Sequence, residues 1–216
     1  MKDASLWDVY LVTDRGLSRG RSTLEIVEAA VNGGVSVVQL REKKLETREF
    51  YEEGMRIIDF LRSRGVPLIV NDRLDIAQAL DADGVHLGRD DMPLPIARKI
   101  LGPDKIIGIS INTPDHISEE AVRLADYLAV SPVFFTGTKE DITTPWELEG
   151  VKSARSLTHL PLVGIGGINR DNAADVVMAG IDCVAVVSAI VSADNPEEAT
   201  RDLKDRVQSA KRARSR

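Results

Sequence analysis

Eight short runs of β-branched and aliphatic residues alternate with amphipathic stretches along the whole chain, and this alternation limits the fold more than any other feature. The runs lie at 8–13 (DVYLVT), 35–41 (VSVVQLR), 67–71 (PLIVN), 83–87 (DGVHL), 105–110 (KIIGIS), 126–130 (DYLAV), 161–165 (PLVGI) and 182–187 (DCVAVV). Strands separated by helices cannot close as hairpins, so they pair in parallel with the helices as crossovers. Eight such units predict an α/β fold of the closed (β/α)₈ TIM-barrel type, formed as one domain over residues 1–216. An open doubly wound sheet is the alternative. Its dinucleotide-binding form requires G-x-G-x-x-G, which neither Asp14-Arg15-Gly16-Leu17-Ser18-Arg19-Gly20 nor Gly164-Ile165-Gly166-Gly167-Ile168-Asn169 supplies.

Helix starts are written locally. Ser22-Thr23-Leu24-Glu25 has capping-box spacing, and Thr113-Pro114 and Asn195-Pro196 set a capping residue before a proline. Phe50, Tyr51, Met55, Ile58 and Leu61 recur at helical spacing between 47 and 64. No apolar run reaches the roughly 20 residues of a membrane span, and the first residues lack a signal-peptide core, so a cytoplasmic protein is expected. Cys183 is the only cysteine, which excludes an internal disulfide and a multi-thiolate zinc site; its apolar surroundings predict a buried small side chain. Net charge is −6, yet residues 204–216 hold six Lys/Arg against one Asp. A frayed basic helix end is expected there, and the acidic remainder argues against nucleic acid as a partner.

Barrel enzymes carry their reacting groups at the C-terminal ends of strands. On the second strand Gln39, Arg41 and Lys43 share one parity, so they project together while Val38 and Leu40 face the helices. An amide and two cations make an anion site; the competing reading is an ordinary mixed-charge exit, Arg41-Glu42-Lys43-Lys44. The third strand ends in Asn71-Asp72, and the fourth leads to Asp90-Asp91. Carboxylates at neighbouring strand ends suit Mg²⁺, although on the residues alone capping of the next helices is the favoured reading of both segments. His86 reads as a structural histidine within its strand. After the seventh and eighth strands come Gly166-Gly167 and Val187-Ser188, where barrels commonly bind phosphate on backbone amides. Ser110 ends the fifth strand at the barrel mouth. Residues 131–147 form a long connection without periodicity, centred on Thr136-Gly137-Thr138-Lys139, and are expected to close over ligand as a lid.

Taken together, Tyr10-Leu11-Val12-Thr13-Asp14, Val38-Gln39-Leu40-Arg41-Glu42-Lys43, Leu68-Ile69-Val70-Asn71-Asp72-Arg73, Ala82-Asp83-Gly84-Val85-His86-Leu87-Gly88, Gly164-Ile165-Gly166-Gly167-Ile168 and Val186-Val187-Ser188-Ala189-Ile190 resemble the thiamine phosphate synthase family. The resemblance implies a transferase that joins 4-amino-2-methyl-5-(hydroxymethyl)pyrimidine diphosphate to a thiazole phosphate and releases pyrophosphate. It further implies that Gln39, Leu40, Arg41, Glu42 and Lys43 bind the pyrimidine diphosphate with Asn71, Ser110 and Lys139. Thr136, Gly137, Thr138, Gly167, Val187 and Ser188 would meet the thiazole phosphate, and Asp72 and Asp91 would hold Mg²⁺. Arg41, Lys43, Ser110 and Lys139 would carry the catalytic burden. Departures from the family pattern stand at Ser131, Phe135 and Arg89. A tautomerase-like isomerase and a non-catalytic binder of the same phosphates are the alternatives. Expected partners are small molecules, with a homo-oligomer compatible and no nucleic acid or membrane.

Overall fold

The computed structural model describes residues 4–118, 120–136 and 144–215. Its eight strands are β1 (Val9–Val12), β2 (Val37–Leu40), β3 (Leu68–Asn71), β4 (Gly84–Leu87), β5 (Ile106–Ile111), β6 (Tyr127–Val130), β7 (Leu162–Ile165) and β8 (Cys183–Val186). Each pairs in parallel with the next, and β8 pairs with β1 to close the barrel. The helices are α1 (Thr23–Gly33), α2 (Thr47–Arg64), α3 (Leu74–Ala79), α4 (Leu94–Leu101), α5 (Glu147–Leu157), α6 (Ala173–Ala179), α7 (Ser188–Val191) and α8 (Pro196–Arg214). Two 3₁₀ segments, Pro114–Ser118 and Glu120–Leu124, lie between β5 and β6. No helix among the described residues is long and apolar enough to cross a membrane.

Local chemistry sets these elements. Ser22 and Glu25 form the full capping box that opens α1, and the Asn195 side chain accepts from the Glu198 N–H ahead of Pro196 in α8. Strand alternation then sorts side chains into two separate clusters. Val9, Leu11, Val38, Leu40, Val70, Val85 and their equivalents pack outward against the helices. Trp7, Tyr10, Val12, Val37, Ile69, Ile106, Tyr127, Ala129, Val163, Cys183 and Ala185 fill the barrel interior. Cys183 is fully buried there, and burial pushes its thiol far above the ordinary value, so it is no nucleophile.

At the N-terminal end of the barrel, aspartates that precede strands tie neighbours together. Asp83 accepts from the Leu68 N–H at 2.8 Å, Asp126 from Ile107 at 2.7 Å and Asp182 from Leu162 at 2.9 Å. Cations from the helices complete these pairs: Arg98 reaches Asp126 at 2.7 Å and Arg155 reaches Asp182 at 3.0 Å.

The basic C-terminal stretch belongs to this belt, which corrects the expectation of a frayed end. Lys211 Nζ donates to the Trp7 carbonyl at 2.7 Å and to Asp8 at 2.9 Å. Arg214 donates to the Val177 and Ile181 carbonyls, both at 2.8 Å, and to Asp182 at 2.9 Å. Leu203, Val207 and Ala210 are buried on the same helix. Lys211 and Arg214 thus bind carbonyls and carboxylates at the barrel base, while Arg206 and Arg212 stay with Asp202 and Ser209 on their own helix. Lys211→Met should therefore lower stability in urea by about 1.5–3 kcal/mol, the range for hydrogen bonds involving a charged group. An unchanged midpoint would restore the frayed-end reading.

Candidate active site

At the opposite end of the barrel lies a cavity of about 500 Å³, walled by strand ends and the loops that follow them. Gln39, Arg41, Lys43, Asn71, Asp72, Asp91 and Ser110 line one side; Thr136, Gly166, Gly167, Asn169, Val187 and Ser188 line the other. Parity on β2 therefore brings Gln39, Arg41 and Lys43 into one space. Leu40 and Glu42 take the other parity, which sets them apart from their neighbours. The Leu40 side chain is buried between barrel and helices. Glu42 turns back beneath the first loop, accepting from the Thr13 hydroxyl at 3.2 Å and the Arg15 N–H at 3.4 Å. Neither side chain lines the cavity.

Arg41 is held by two contacts from the end of β1. Its N–H donates to Thr13 Oγ1 at 3.0 Å, and its guanidinium reaches Asp14 at 3.3 Å. Asp14 was not anticipated from sequence. Burial raises the neighbouring Glu42 carboxyl from 4.5 to about 7, against the lowering effect of the Arg15 N–H and the Thr13 hydroxyl. A carboxyl whose folded value exceeds its unfolded one binds its proton more tightly when folded. The folded state thus keeps full stability below about pH 4.5 and loses some of it as pH rises through about 7. Glu42→Gln should consequently stabilise the protein by about 1–2 kcal/mol at pH 8.5, after allowance for solvent near the loop, and change little at pH 4. Chemical melts at both values provide the check.

The two carboxylates of the third and fourth strand ends converge. Asp72 follows β3 with φ of 62°, a left-handed conformation that Asp tolerates better than most residues, and its N–H donates to the His86 carbonyl at 2.9 Å. Asp91 accepts from the Gly88 N–H at 2.6 Å. Helix capping does not occupy them, since Arg73 and Pro93 stand at the N-caps of α3 and α4. Burial, then a hydrogen bond with Asp91 and its charge, raises Asp72 from 3.8 to about 6, while Lys43, 3.7 Å away, opposes the shift. Two adjacent carboxylates of this kind fit a hard divalent cation, and Mg²⁺ commonly takes only one or two protein carboxylates. No group of three or more His, Cys, Asp or Glu suited to a metal occurs among the described residues.

On the far side, Gly166 and Gly167 have φ of 102° and 65°. A Cβ on Gly167 would lie 2.7 Å from Phe134 Cβ and 2.8 Å from the Phe135 carbonyl oxygen, so glycine lets residues 132–135 lie against the end of β7. Ser188 opens α7 with Val187 at its N-cap. The base of the long connection is pinned: Val133 N–H donates to Ile165 at 2.9 Å, Phe134 to Gly166 at 3.0 Å and Trp146 to Pro132 at 2.9 Å. Any lid is therefore shorter than 131–147. Thr136 faces the cavity, whereas Gly137, Thr138 and Lys139 lie outside the described residues.

The chain matches the family model described as thiamine monophosphate synthase over residues 9–190. It belongs to that family. Thiamine-phosphate synthase of Natronomonas pharaonis is 53% identical over 204 residues, covering 93% of this chain and 94% of that protein. The Moorella thermoacetica thiamine-phosphate synthase is 48% identical over 205 residues, covering 95% and 98%. Among solved structures, thiamine phosphate pyrophosphorylase from Pyrococcus furiosus superposes with a TM-score of 0.87 at 37% identity, covering 96% of this chain and 98% of that one. The activity is thus that of a thiamine-phosphate synthase, a transferase of thiamine biosynthesis on a TIM barrel.

Thiamine-phosphate synthase chemistry has a polar floor here that sequence reading did not assemble. Gln39 Nε2 donates to Tyr10 Oη at 2.8 Å, and Tyr10 Oη lies 3.0 Å from Tyr127 Oη. His86 bridges Tyr127 Oη at 2.9 Å and Ser110 Oγ at 3.0 Å. The available signal was inward parity on five strands, with Gly108 between His86 and Tyr127 in the sheet.

Proposed function

We propose that the cavity divides into a pyrimidine diphosphate half under β2 to β5 and a thiazole phosphate half under β6 to β8. The observation that carries this reading is the opposition of Arg41, Lys43, Asp72 and Asp91 to the Gly166-Gly167 and Val187-Ser188 turns across one space. Gln39, Arg41, Lys43, Asn71, Ser110 and Lys139 hold the pyrimidine diphosphate, and Thr136, Gly137, Thr138, Gly167, Val187 and Ser188 the thiazole phosphate. Asp72 and Asp91 would hold Mg²⁺, which when bound offsets negative charge on the departing pyrophosphate.

The substitution is dissociative. The bond from the pyrimidine methylene carbon to the diphosphate oxygen breaks with its electron pair going to pyrophosphate, and the thiazole nitrogen then donates its pair to the carbon. Arg41 and Lys43 stabilise the charge that develops on the leaving group; the guanidinium is already oriented by Asp14 and so needs little reorganisation. The apolar side chains of Val12, Ala129, Val163, Ile165 and Ala185, which line the cavity beside that polar floor, keep water from the cationic carbon, and no protein nucleophile takes part.

Purified protein with both substrates and Mg²⁺ should give thiamine phosphate and pyrophosphate in equal amounts by chromatography, with product lost in chelated buffer. Binding of both ligands without turnover, or full turnover in chelator, would overturn the reading.

A further inference from the structure

The five polar side chains beneath the cavity form one hydrogen-bond sequence, and their donor and acceptor capacities give it a direction. Gln39 Nε2 can only donate, so Tyr10 Oη accepts at that contact. Tyr10 is fully buried, and among the described residues its hydroxyl meets one further polar atom, Tyr127 Oη. Its proton therefore goes to Tyr127. Tyr127, also fully buried, must then pass its own proton to His86 Nδ1 at 2.9 Å. A neutral imidazole accepting at Nδ1 carries its proton on Nε2. That proton faces Ser110 Oγ at 3.0 Å, so the serine accepts and its own hydroxyl proton is left for the cavity. An imidazolium would break the sequence, because it would give Tyr127 a proton from each end and leave a buried hydroxyl proton without an acceptor.

We propose that Tyr127 is a positioning residue: by accepting from Tyr10 and donating to His86 it fixes the Nε2–H tautomer and makes Ser110 a donor to the bound substrate. His86 does not touch the reacting atoms in this scheme; it transmits a direction. The stacking of the His86 ring on Tyr127, with centroids 5.7 Å apart and planes 19° apart, holds both rings in the register the sequence needs. The part concerning substrate rests on the proposed placement of the diphosphate beside Ser110, whose oxygens are acceptors and so complement a hydroxyl proton. The tautomer does not depend on that placement.

The test uses the full chain labelled with ¹⁵N-histidine in a His116→Gln/His159→Gln background, which leaves His86 as the labelled ring. Ring nitrogen shifts at pH 7.5 without substrates should report Nε2–H. A dominant Nδ1–H tautomer or an imidazolium would overturn the proposal outright, and that measurement needs no variant of the network. Tyr127→Phe should then give a tautomer mixture and lower kcat/KM for the pyrimidine diphosphate about tenfold, the size of one misdirected hydrogen bond, with KM for thiazole phosphate unchanged. A lower melting temperature with tautomer and kinetics unmoved would reduce Tyr127 to packing and reject the proposal. If the tautomer is Nε2–H and Tyr127→Phe instead weakens only the thiazole phosphate, the hydrogen-bond direction stands and the assignment of the two cavity halves fails.

Discussion

Asp72→Asn is expected to cut turnover by roughly 10²–10³-fold while making the metal-free protein harder to unfold at neutral pH, because the two effects arise from the same charge. In the folded chain the Asp72 carboxyl is raised from 3.8 to about 6, first by burial and then by Asp91. Stability is fully present below pH 3.8 and falls as pH climbs through about 6, so at pH 7.5 the folded state bears the whole cost of two neighbouring carboxylates. Asparagine keeps the shape and removes that cost, by about 1 kcal/mol once solvent at the cavity mouth is taken into account. Adding Mg²⁺ with pyrophosphate should reverse the order, since a ligand that binds only the folded protein raises the wild-type midpoint and leaves the variant nearly unmoved. Asp91→Asn should likewise lose turnover, with partial rescue by excess Mg²⁺. Thermal melts and steady-state rates settle it together. Full activity of both variants in chelated buffer would remove these carboxylates from the mechanism.

Gly108→Ala should lower stability steeply. A Cβ on Gly108 would lie 1.9 Å from Tyr127 Cζ, closer than any real contact. Trp7 stands edge-on at 5.6 Å between centroids and His86 is stacked at 5.7 Å, so the ring can move only toward the cavity, at the expense of its hydrogen bonds to Tyr10 and His86. Overpacking in a core costs about 1–3 kcal/mol, and about 3 kcal/mol is expected here because those bonds are lost as well. Urea melts give the number. A variant as stable as the parent would mean that the tyrosine has a second position and that the polar floor is not fixed by packing.

What could be read from the chain before its fold was known divides along a physical line. Strand order and strand ends were legible because buried parallel strands are continuous apolar runs bounded by turn residues; DVYLVT and DCVAVV name β1 and β8 almost to the residue. Arg41 and Lys43 were legible from parity, and Asp72 with Asp91 from neighbouring strand ends. Asp14 and Tyr127 were not, because their partners lie 27 and 41 residues away and no periodicity links a tyrosine in one strand to a histidine in another. The basic end of α8 was misread for a related reason. Charge composition cannot distinguish a lysine in water from one whose stem lies along the barrel base with its ammonium on Asp8 and the Trp7 carbonyl.

The separation of the barrel interior from the outer shell also bears on how such a protein can change. Tyr10, Val12, Tyr127, Ala129, Val163 and Ala185 belong to the inner cluster and line the cavity as well, whereas the outer cluster contains none of these six. Outside Ile168, Val186, Val187 and Ala189, which serve both the outer cluster and the cavity wall, mutations that adjust helix packing can accumulate without reaching the ligand. Ala129 and Ala185 are the smallest of the six, so enlarging them one at a time is the most economical route to a catalyst for a smaller or differently substituted ring. A laboratory selection confined to those two positions would explore substrate range without touching the outer helix packing.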